Sequence, residues 1–203
     1  MIAIINYKAG NLASVSNALD RLGADFVITS NTSELNAAEA VIFPGVGHAY
    51  SAMESLRENG LTSWLKETGK PVLGICLGMQ LLYESSEEGD TRGLGVIPGR
   101  LQKFDASQAK VPHMGWNTFS SVEPHPLLKG ISTDHFFYYV HSFYAPVNEF
   151  TLAECSYINT FAAVVERDNY LGVQFHPEKS GEVGSMLLQN FLIHVASQSQ
   201  IKL

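Results

Sequence analysis

The sequence predicts an α/β protein with a central, mostly parallel β-sheet, helices on both faces of that sheet, and added antiparallel strands. Short apolar runs alternate with helical patterns through the first ninety residues, which is typical of a parallel sheet covered on both sides. From Gly93 to about Ala163 the segments are short and alternating, with frequent glycine and proline, as in antiparallel strands. No repeat or linker divides the chain, so we expect residues 1–203 to form a single domain.

Four strands are predicted in the first ninety residues. The run Ile2–Ile5 is too short for a helix and suits a strand buried on both faces. Further strands are predicted at Asp25–Thr29, Ala40–Phe43 and Pro71–Ile75. The segment Pro44-Gly45-Val46-Gly47 ends the third of these strands.

Helical patterns separate these strands and close the chain. Apolar residues recur at helical spacing from Leu12 to Leu22, after a loop at Gly10-Asn11 and before a terminating Gly23. The remaining elements are predicted, in chain order, as helices at Tyr50–Glu58, Leu61–Glu67 and Leu77–Tyr83, a strand at Tyr170–His176 and a helix at Gly184–Ala196.

Composition excludes several classes of function. The chain is 45% hydrophobic, which is enough for a large core, and its net charge is −7, which argues against a general nucleic-acid binder. No apolar run is long enough to span a bilayer, and the start resembles no signal peptide. Cys76 and Cys155 lie far apart in sequence and form no metal-type pair, and because no export signal is evident we expect them to be free thiols in a reducing cytoplasm. No membrane, nucleic acid, metal or cofactor is expected.

Cys76 is the first candidate for chemistry, because it lies in Gly74-Ile75-Cys76-Leu77-Gly78 between a buried strand and a helix. This is the cysteine counterpart of the nucleophile elbow, in which glycines relieve crowding at a tight turn. The N-terminus of the following helix favours a thiolate, and the Leu77 N–H can face a developing oxyanion. The alternative is a small cysteine packed in the core.

His176 is the best candidate for the base that such a nucleophile needs. It ends an apolar strand and is followed by Pro177-Glu178, so Glu178 can return to orient the imidazole. Strand ends carry the ligand site in parallel sheets, which places His176 and Cys76 on one rim. A histidine that merely caps its strand beside a surface glutamate is the alternative. Two other histidines, His48 and His113, lie in predicted loops.

The Pro44–Gly47 segment is the third candidate element. It follows a buried strand and carries two glycines that can adopt positive φ, so its backbone N–H groups can be directed into a site. An ordinary turn between a strand and a helix is the alternative. The sequence contains no phosphate-binding loop of the GxxxxGK[ST] type.

Together, the elbow cysteine, the distant His-Pro-Glu and the Pro-Gly-x-Gly segment resemble class I glutamine amidotransferases. The stretches PHMGWN (112–117), CLGMQ (76–80) and YVHS (139–142) are similar to the glutaminase subunits of imidazole glycerol phosphate synthase. The segments at 6–12 and 176–180 fit as well, so the resemblance covers essentially the whole chain. It implies a flavodoxin-like class I glutamine amidotransferase fold.

The resemblance also implies roles for the site residues. Cys76 would attack the glutamine amide and form a thioester, His176 would move protons, and Glu178 would orient His176. The expected oxyanion hole consists of Val46, Gly47 and Leu77, and the Pro44–Gly47 backbone is expected to rearrange before the hole is complete. The residues expected to contact glutamine are Gly47, Gln80, Glu88, His141, Ser142 and Phe143. The family often has tyrosine where Phe143 stands, which removes a side-chain hydrogen bond there.

The partner that the resemblance implies is the cyclase subunit of imidazole glycerol phosphate synthase, a (β/α)₈ barrel that receives the ammonia. Trp116, in a loop bounded by glycine and proline, is expected to be an exposed anchor, because tryptophan is favoured at interface hot spots. Core packing of Trp116 and a solvated Lys179 are the alternatives. The residues expected to face the barrel are Asn11, Pro112, His113, Met114, Gly115, Trp116, Asn117, Tyr138 and Lys179.

Three alternative functions remain open on the sequence. The first is another class I amidotransferase subunit, such as that for anthranilate or carbamoyl phosphate, against which PHMGWN argues. The second is a cysteine peptidase or amidase on a flavodoxin-like sheet that acts without a partner. The third is a non-catalytic binding module that has kept the fold, and the presence of Cys76, His176 and Glu178 argues against it.

Overall fold

The computed structural model describes residues 1–8 and 11–201, so the predicted loop residue Gly10 lies outside the described residues. The strands are β1 (Ile2–Ile5), β2 (Phe26–Thr29), β3 (Ala40–Gly45), β4 (Val72–Cys76), β5 (Tyr83–Ser86), β6 (Thr91–Arg92), β7 (Ile97–Lys103), β8 (His113–Val122), β9 (Phe136–His141), β10 (Phe143–Tyr144), β11 (Thr151–Ser156), β12 (Thr160–Arg167) and β13 (Tyr170–Val173). The helices are α1 (Leu12–Arg21), α2 (Thr32–Ala37), α3 (Ala49–Glu58), α4 (Leu61–Glu67), α5 (Leu77–Leu81) and α6 (Gly181–Ile201). Within these residues, no helix combines the length and apolarity needed to cross a membrane.

The central sheet has the strand order β2-β1-β3-β4-β13-β12-β11-β8-β9. Strands β2, β1, β3, β4 and β13 pair in parallel, and the remaining pairs from β13 to β9 are antiparallel. The predicted α/β class, with antiparallel strands added to a parallel sheet, is therefore confirmed. A small second sheet, β10-β7-β5-β6, was not predicted from the sequence.

The two faces of the central sheet bury separate apolar clusters. In β1, Ile2 and Ile4 enter one cluster, whereas Ala3 and Ile5 enter the other. Helices α1 and α6 cover the first face, and α3 and α4 cover the second. A continuous apolar strand is thus required here, because both of its faces are hidden from water.

Several predicted boundaries are wrong for identifiable reasons. The helix after Cys76 ends at Leu81, because Tyr83 pairs with Ile97 and starts β5. Strand β13 ends at Val173 instead of His176, and α6 is longer than predicted at both ends. Helix α2 was missed altogether, although its signal is present: the Asn31 side chain accepts a hydrogen bond from the Ser33 N–H as an N-cap.

Gly78 allows α5 to lie directly against β3. A Cβ atom at this position would lie 1.8 Å from the Phe43 carbonyl oxygen, a distance that no side chain tolerates. The neighbouring Gly74 is similarly restricted, since its Cβ would lie 2.8 Å from the backbone of Met79. The two glycines that flank Cys76 are thus required by contact between backbones.

Replacing Gly78 with alanine should therefore destabilise the fold strongly. We expect Gly78→Ala to lower the free energy of unfolding by at least about 3 kcal/mol, because backbone must move to accept the methyl group. Urea denaturation measures this change. Gly69→Ala is the matched control, since a Cβ there meets nothing within 4 Å, and it should change little. Equal stability of the two variants would contradict the packing described here.

Candidate active site

Cys76 occupies a strained turn at the end of β4. Its φ is 53° and its ψ is −110°, and its side chain is 7% exposed. A residue other than glycine holds such a conformation only where the surrounding structure imposes it, at a cost on the order of 1–3 kcal/mol. The close packing of Gly74 and Gly78 supplies that restraint. Strain of this kind is typical of functional sites, and it favours the elbow interpretation over simple packing of a cysteine.

His176 and Glu178 form a buried pair. The His176 Nδ1 lies 2.8 Å from Glu178 Oε1, and both side chains are 1% exposed. The His176 N–H donates to the Tyr138 carbonyl, and the Ser180 hydroxyl donates to the His176 carbonyl, so the backbone of the histidine is also fixed. With Nδ1–H donated to Glu178, the neutral ring presents the lone pair of Nε2, as a general base requires.

The electrostatics of His176 differ from those of an ordinary buried histidine. Burial by itself lowers the pKa of His176, but the neighbouring Cys76 sulfur and the hydrogen-bonded Glu178 carboxylate outweigh burial and raise that pKa well above its usual value. The Nε2 atom is buried and has no hydrogen-bond partner among the described residues. The site therefore stabilises an imidazolium beside the sulfur.

Gln174 and Val140 contact the Cys76 sulfur and were missed in the sequence. The Gln174 Nε2 and the Val140 carbonyl oxygen each lie 3.8 Å from Cys76 Sγ. Gln174 is fully buried, and its Oε1 accepts a hydrogen bond from Gln80 Nε2 at 2.9 Å. A detectable signal existed, because Gln174 is a polar residue inside the apolar run that leads to His176.

A cavity of about 310 Å³ opens over Cys76. The structure brings the predicted oxyanion and glutamine-binding residues together around this cavity, with His176 at its wall and Glu178 behind His176. The lining residues are Val46, Gly47, Cys76, Leu77, Gln80, Glu88, Pro112, Val140, His141, Ser142, Phe143 and His176.

The Pro44–Gly47 segment differs in detail from the prediction. Of its two glycines, Gly47 adopts a positive φ, 98°, whereas Gly45 belongs to β3. Gly45 is required for space, since a Cβ there would lie 2.7 Å from the Tyr7 hydroxyl oxygen. That hydroxyl donates to the Pro44 carbonyl at 2.9 Å. Tyr7 therefore holds the start of the segment, and Gly47 at its end is exposed.

Two polar side chains that line the cavity, Glu88 and Gln80, are hydrogen-bonded to other groups of the protein. The Glu88 Oε2 accepts a hydrogen bond from the Ala49 N–H at 2.7 Å, at the start of the helix that follows the Pro44–Gly47 segment. The Gln80 Nε2 donates to the Phe143 carbonyl at 3.0 Å as well as to Gln174. Gln80 therefore braces the wall of the cavity through its amide nitrogen.

All of the PHMGWN stretch after Pro112 lies in a strand, so the prediction of a loop there is wrong. Residues 113–122 form β8, which pairs with β9 in the register Trp116 to Tyr138. Alternation then sorts the side chains onto two faces. Met114 and Trp116 are 60% and 56% exposed, so core packing of Trp116 is excluded. His113 is 4% exposed and lies on the other face.

The exposed side of this hairpin forms one continuous surface, which we call the β8–β9 face. The Trp116 and Tyr138 rings meet edge to face at 5.9 Å, and the Lys179 Nζ lies 6.0 Å from the Tyr138 ring centre. Phe136, which is 57% exposed, was missed in the sequence. The β8–β9 face consists of Met114, Trp116, Phe136, Tyr138 and Lys179.

The other predicted interface residues are placed differently. Asn11 is half-buried and caps α1 by accepting a hydrogen bond from the Ser14 N–H. Pro112 lines the cavity, and Gly115 is half-buried in β8. The Asn117 Nδ2 donates to the Ser156 carbonyl of the neighbouring β11 at 3.0 Å.

His113 and His141 form a buried pair of histidines, separate from the His176–Glu178 pair. The His113 Nδ1 lies 3.0 Å from the His141 Nε2. Burial lowers the pKa of His113 to about 4 and that of His141 to about 3. Both rings are therefore neutral at pH 7, in contrast to the imidazolium favoured at His176.

Residues 3–195 match the family described as glutamine amidotransferase class-I. The chain is 51% identical over 193 residues to imidazole glycerol phosphate synthase subunit HisH of Bacteroides fragilis (strain YCH46), covering 94% of this chain and 98% of that protein. It is 47% identical over 194 residues to the subunit HisH of Archaeoglobus fulgidus, covering 95% and 98% respectively.

Solved structures share the fold at low sequence identity. A crystal structure of a glutamine amidotransferase aligns with a TM-score of 0.75 and 18% identity, covering 97% of this chain and 100% of that one. The structure of PurLQS from Thermotoga maritima aligns with a TM-score of 0.66 and 19% identity, covering 96% and 98%. These two alignments bear on the fold alone.

The neutral His113–His141 pair should make the folded protein less stable as the pH falls below 6.5. In the unfolded chain both histidines take up a proton near the ordinary pKa of 6.5, whereas in the folded protein they do so only near pH 4 and pH 3. Protonation therefore favours the unfolded chain between these values. The contribution of the two neutral rings to the free energy of unfolding is complete above pH 6.5 and is lost as pH falls toward 4. At pH 5 the loss is about 2 kcal/mol for each ring.

Urea denaturation at pH 7 and pH 5 measures this loss. His141→Gln should show a smaller decrease between the two pH values than the wild type. His135→Gln, in the loop before β9, is the control and should keep the wild-type decrease. A wild-type decrease in His141→Gln would show that the ring is not held neutral.

Proposed function

This chain belongs to the class I glutamine amidotransferases and, within them, to the HisH subunits of imidazole glycerol phosphate synthase, and from this membership we propose that it hydrolyses glutamine at Cys76 and passes the ammonia to a cyclase subunit. The observation that carries the proposal is the strained Cys76 at the floor of a cavity, beside a histidine already paired with a buried carboxylate. The expected product of the partner is imidazole glycerol phosphate, with an aminoimidazole carboxamide ribonucleotide, in histidine biosynthesis.

In the proposed mechanism, Cys76 gives its proton to His176 Nε2 and its sulfur attacks the side-chain amide carbon of glutamine. The resulting oxyanion is bound by backbone N–H groups of Val46–Gly47 and Leu77, and one such donor contributes about 10²–10³ in rate. His176 then donates its proton to the leaving nitrogen, so that ammonia departs and a glutamyl thioester remains. Water, deprotonated by His176, cleaves the thioester and releases glutamate.

Glu178 supports these steps without contacting the substrate. Its carboxylate accepts the Nδ1–H of His176 at 2.8 Å, which fixes the tautomer and stabilises the imidazolium formed in each proton transfer. Because both side chains are 1% exposed, water screens this interaction little. The pair thus explains how a buried histidine can hold a proton during the reaction.

Binding of the glutamine main-chain groups is assigned to two sides of the cavity. The Glu88 carboxylate would balance the α-ammonium while it holds the Ala49 N–H. Backbone donors near Ser142 would bind the α-carboxylate. Phe143 has no hydroxyl, so its contribution is limited to the main chain and to apolar contact.

The β8–β9 face is proposed as the surface that binds the cyclase. Three large apolar side chains, Met114, Trp116 and Phe136, are more than half exposed there. A contiguous apolar patch of this kind is unfavourable in water and typically marks a binding surface. Lys179 extends this face to the residue next to Glu178, so the proposed interface adjoins the catalytic pair. We place this complex in the cytoplasm, in keeping with the two free cysteines.

The alternative functions are less well supported. A peptidase needs an open cleft for a chain, whereas the cavity over Cys76 has a volume of only about 310 Å³. A non-catalytic module has no use for backbone strain at Cys76 or for a buried His176–Glu178 pair. Among class I subunits, sequence identity of about half over nearly the whole chain favours the HisH assignment.

The nucleophile is tested by Cys76→Ala. In complex with the cyclase, this variant should lose at least about 10³-fold of glutamine-dependent synthesis, because no thioester can form, and it should keep ammonium-dependent synthesis. Product formation from each nitrogen source is the measurement. Cys155→Ala, the other buried cysteine, is the matched control and should keep both activities. Full glutamine-dependent turnover by Cys76→Ala would refute the assignment.

The interface is tested by Trp116→Ala. We expect the dissociation constant for the cyclase to rise at least about 30-fold, since a truncated hot spot costs about 2 kcal/mol or more. Titration calorimetry or surface plasmon resonance measures it. Ile193→Ala is the control, because Ile193 is 60% exposed on α6 and lies outside the β8–β9 face. Equal affinities for the two variants would exclude Trp116 as an anchor.

A further inference from the structure

The buried His113–His141 pair lies beside the cavity and takes no part in the proton transfers assigned to His176. The two residues are direct cross-strand neighbours in β8 and β9, and their side chains are 4% and 6% exposed. Their rings meet through His113 Nδ1 and His141 Nε2 at 3.0 Å. Two neutral imidazoles in such contact need one donor and one acceptor, so the tautomers are constrained by their other partners.

The Phe143 carbonyl determines which ring donates in the His113–His141 hydrogen bond. The His141 Nδ1 lies 2.8 Å from the Phe143 carbonyl oxygen, and a carbonyl oxygen can only accept. His141 therefore carries its hydrogen on Nδ1, which leaves Nε2 as an acceptor. It follows that His113 donates from Nδ1 and that its own Nε2 must accept.

Asn117 supplies the donor that His113 Nε2 requires. The Asn117 Nδ2 lies 3.3 Å from that atom. The orientation of the amide is fixed independently, because Oδ1 accepts from the Thr118 N–H at 2.8 Å and Nδ2 also donates to the Ser156 carbonyl at 3.0 Å. Donor and acceptor thus match at each step from Asn117 through both rings to Phe143.

The Phe143 carbonyl is also held from the opposite side. Gln80 Nε2 donates to it at 3.0 Å and to Gln174, whose own Nε2 lies 3.8 Å from Cys76 Sγ. We infer that Asn117, His113 and His141 form a directional hydrogen-bond chain that positions the Phe143 carbonyl, and with it the Ser142–Phe143 wall of the glutamine cavity. The inference rests on the proposed function of that cavity and adds two positioning residues, His113 and His141, to it.

The surroundings of the pair agree with a positioning role. His113 stacks between Tyr139 and Tyr157, with ring centres 5.0 and 4.2 Å away. Both nitrogens of each ring are occupied by protein partners, so neither ring is available for acid–base chemistry with the substrate. The lowered pKa values of both residues agree with rings that remain neutral.

The tautomers are tested directly by NMR of the full chain labelled with ¹⁵N-histidine at pH 7. Long-range ¹H–¹⁵N spectra distinguish Nδ1–H, Nε2–H and imidazolium, and spectra of His113→Gln and His141→Gln assign the two rings. Both rings should be neutral with hydrogen on Nδ1. An Nε2–H tautomer or an imidazolium at either residue would overturn the inference.

Asn117→Asp tests the direction of the chain at almost constant size. A carboxylate only accepts, so His113 should take a proton on Nε2, and the backbone amide resonances of Ser142 and Phe143 should shift. Asn159→Asp is the matched control, because Asn159 is exposed in the β11–β12 turn. This substitution adds the same negative charge without contacting the imidazole rings of His113 and His141. Unchanged His113 and Phe143 resonances in Asn117→Asp would overturn the inference.

Kinetics of glutamine hydrolysis in the cyclase complex test positioning against a merely structural role. His113→Leu leaves the His141 acceptor unpaired and should raise KM for glutamine about tenfold with a smaller change in kcat. His113→Gln can donate and accept at similar positions and should recover most of the loss. An unchanged KM in His113→Leu, or an equal loss in both variants, would contradict positioning. If the wild type hydrolysed no glutamine, the proposed function would fail, and the NMR experiments would still decide the hydrogen-bond chain.

Discussion

Contact between the Cys76 turn and the backbones of its neighbours is the constraint on which the rest of this structure depends. Gly78 lies so close to Phe43 in β3 that any side chain would collide with the carbonyl oxygen. Gly74 makes a similar approach to α5. With both flanks fixed, the backbone of Cys76 is held at positive φ, and its sulfur is directed to the end of the parallel strands. The cavity, the Pro44–Gly47 segment and the His176–Glu178 pair are all arranged around that point.

Three buried histidines near this cavity share one physical environment but differ in their partners. Burial lowers the proton affinity of each. For His141 the hydrogen bond to the Phe143 carbonyl offsets burial only in part, and both His113 and His141 are neutral. His176 has Glu178 on one side and Cys76 on the other, and these partners reverse the effect of burial. Charge is thereby confined to the histidine beside the sulfur. His141 is a neutral part of the cavity wall, and His113 is hydrogen-bonded to it from behind.

Much of this arrangement could be predicted from the sequence, because local patterns carry it. The apolar runs of β1, β3 and β4 and the glycines around Cys76 indicate the parallel sheet and the turn without knowledge of any distant contact. Strand β8 could not be recognised, because Gly115 within it and Pro112 before it resemble a loop, and because its pairing with β9 depends on tertiary contacts. For the same reason His113 was expected at the surface and lies inside. Gln174 and Phe136 were missed because each lies within a run that was interpreted as a whole.

The role of Cys76 as the nucleophile of a glutaminase can be tested by covalent labelling with a diazoketone analogue of glutamine. Peptide mass spectrometry of the labelled chain, in complex with the cyclase, locates the modified residue while glutaminase activity is followed. We expect one modified residue, Cys76, with loss of activity in proportion to labelling and with protection by glutamine. Inactivation with the label at another residue, or full activity in chains labelled at Cys76, would contradict it.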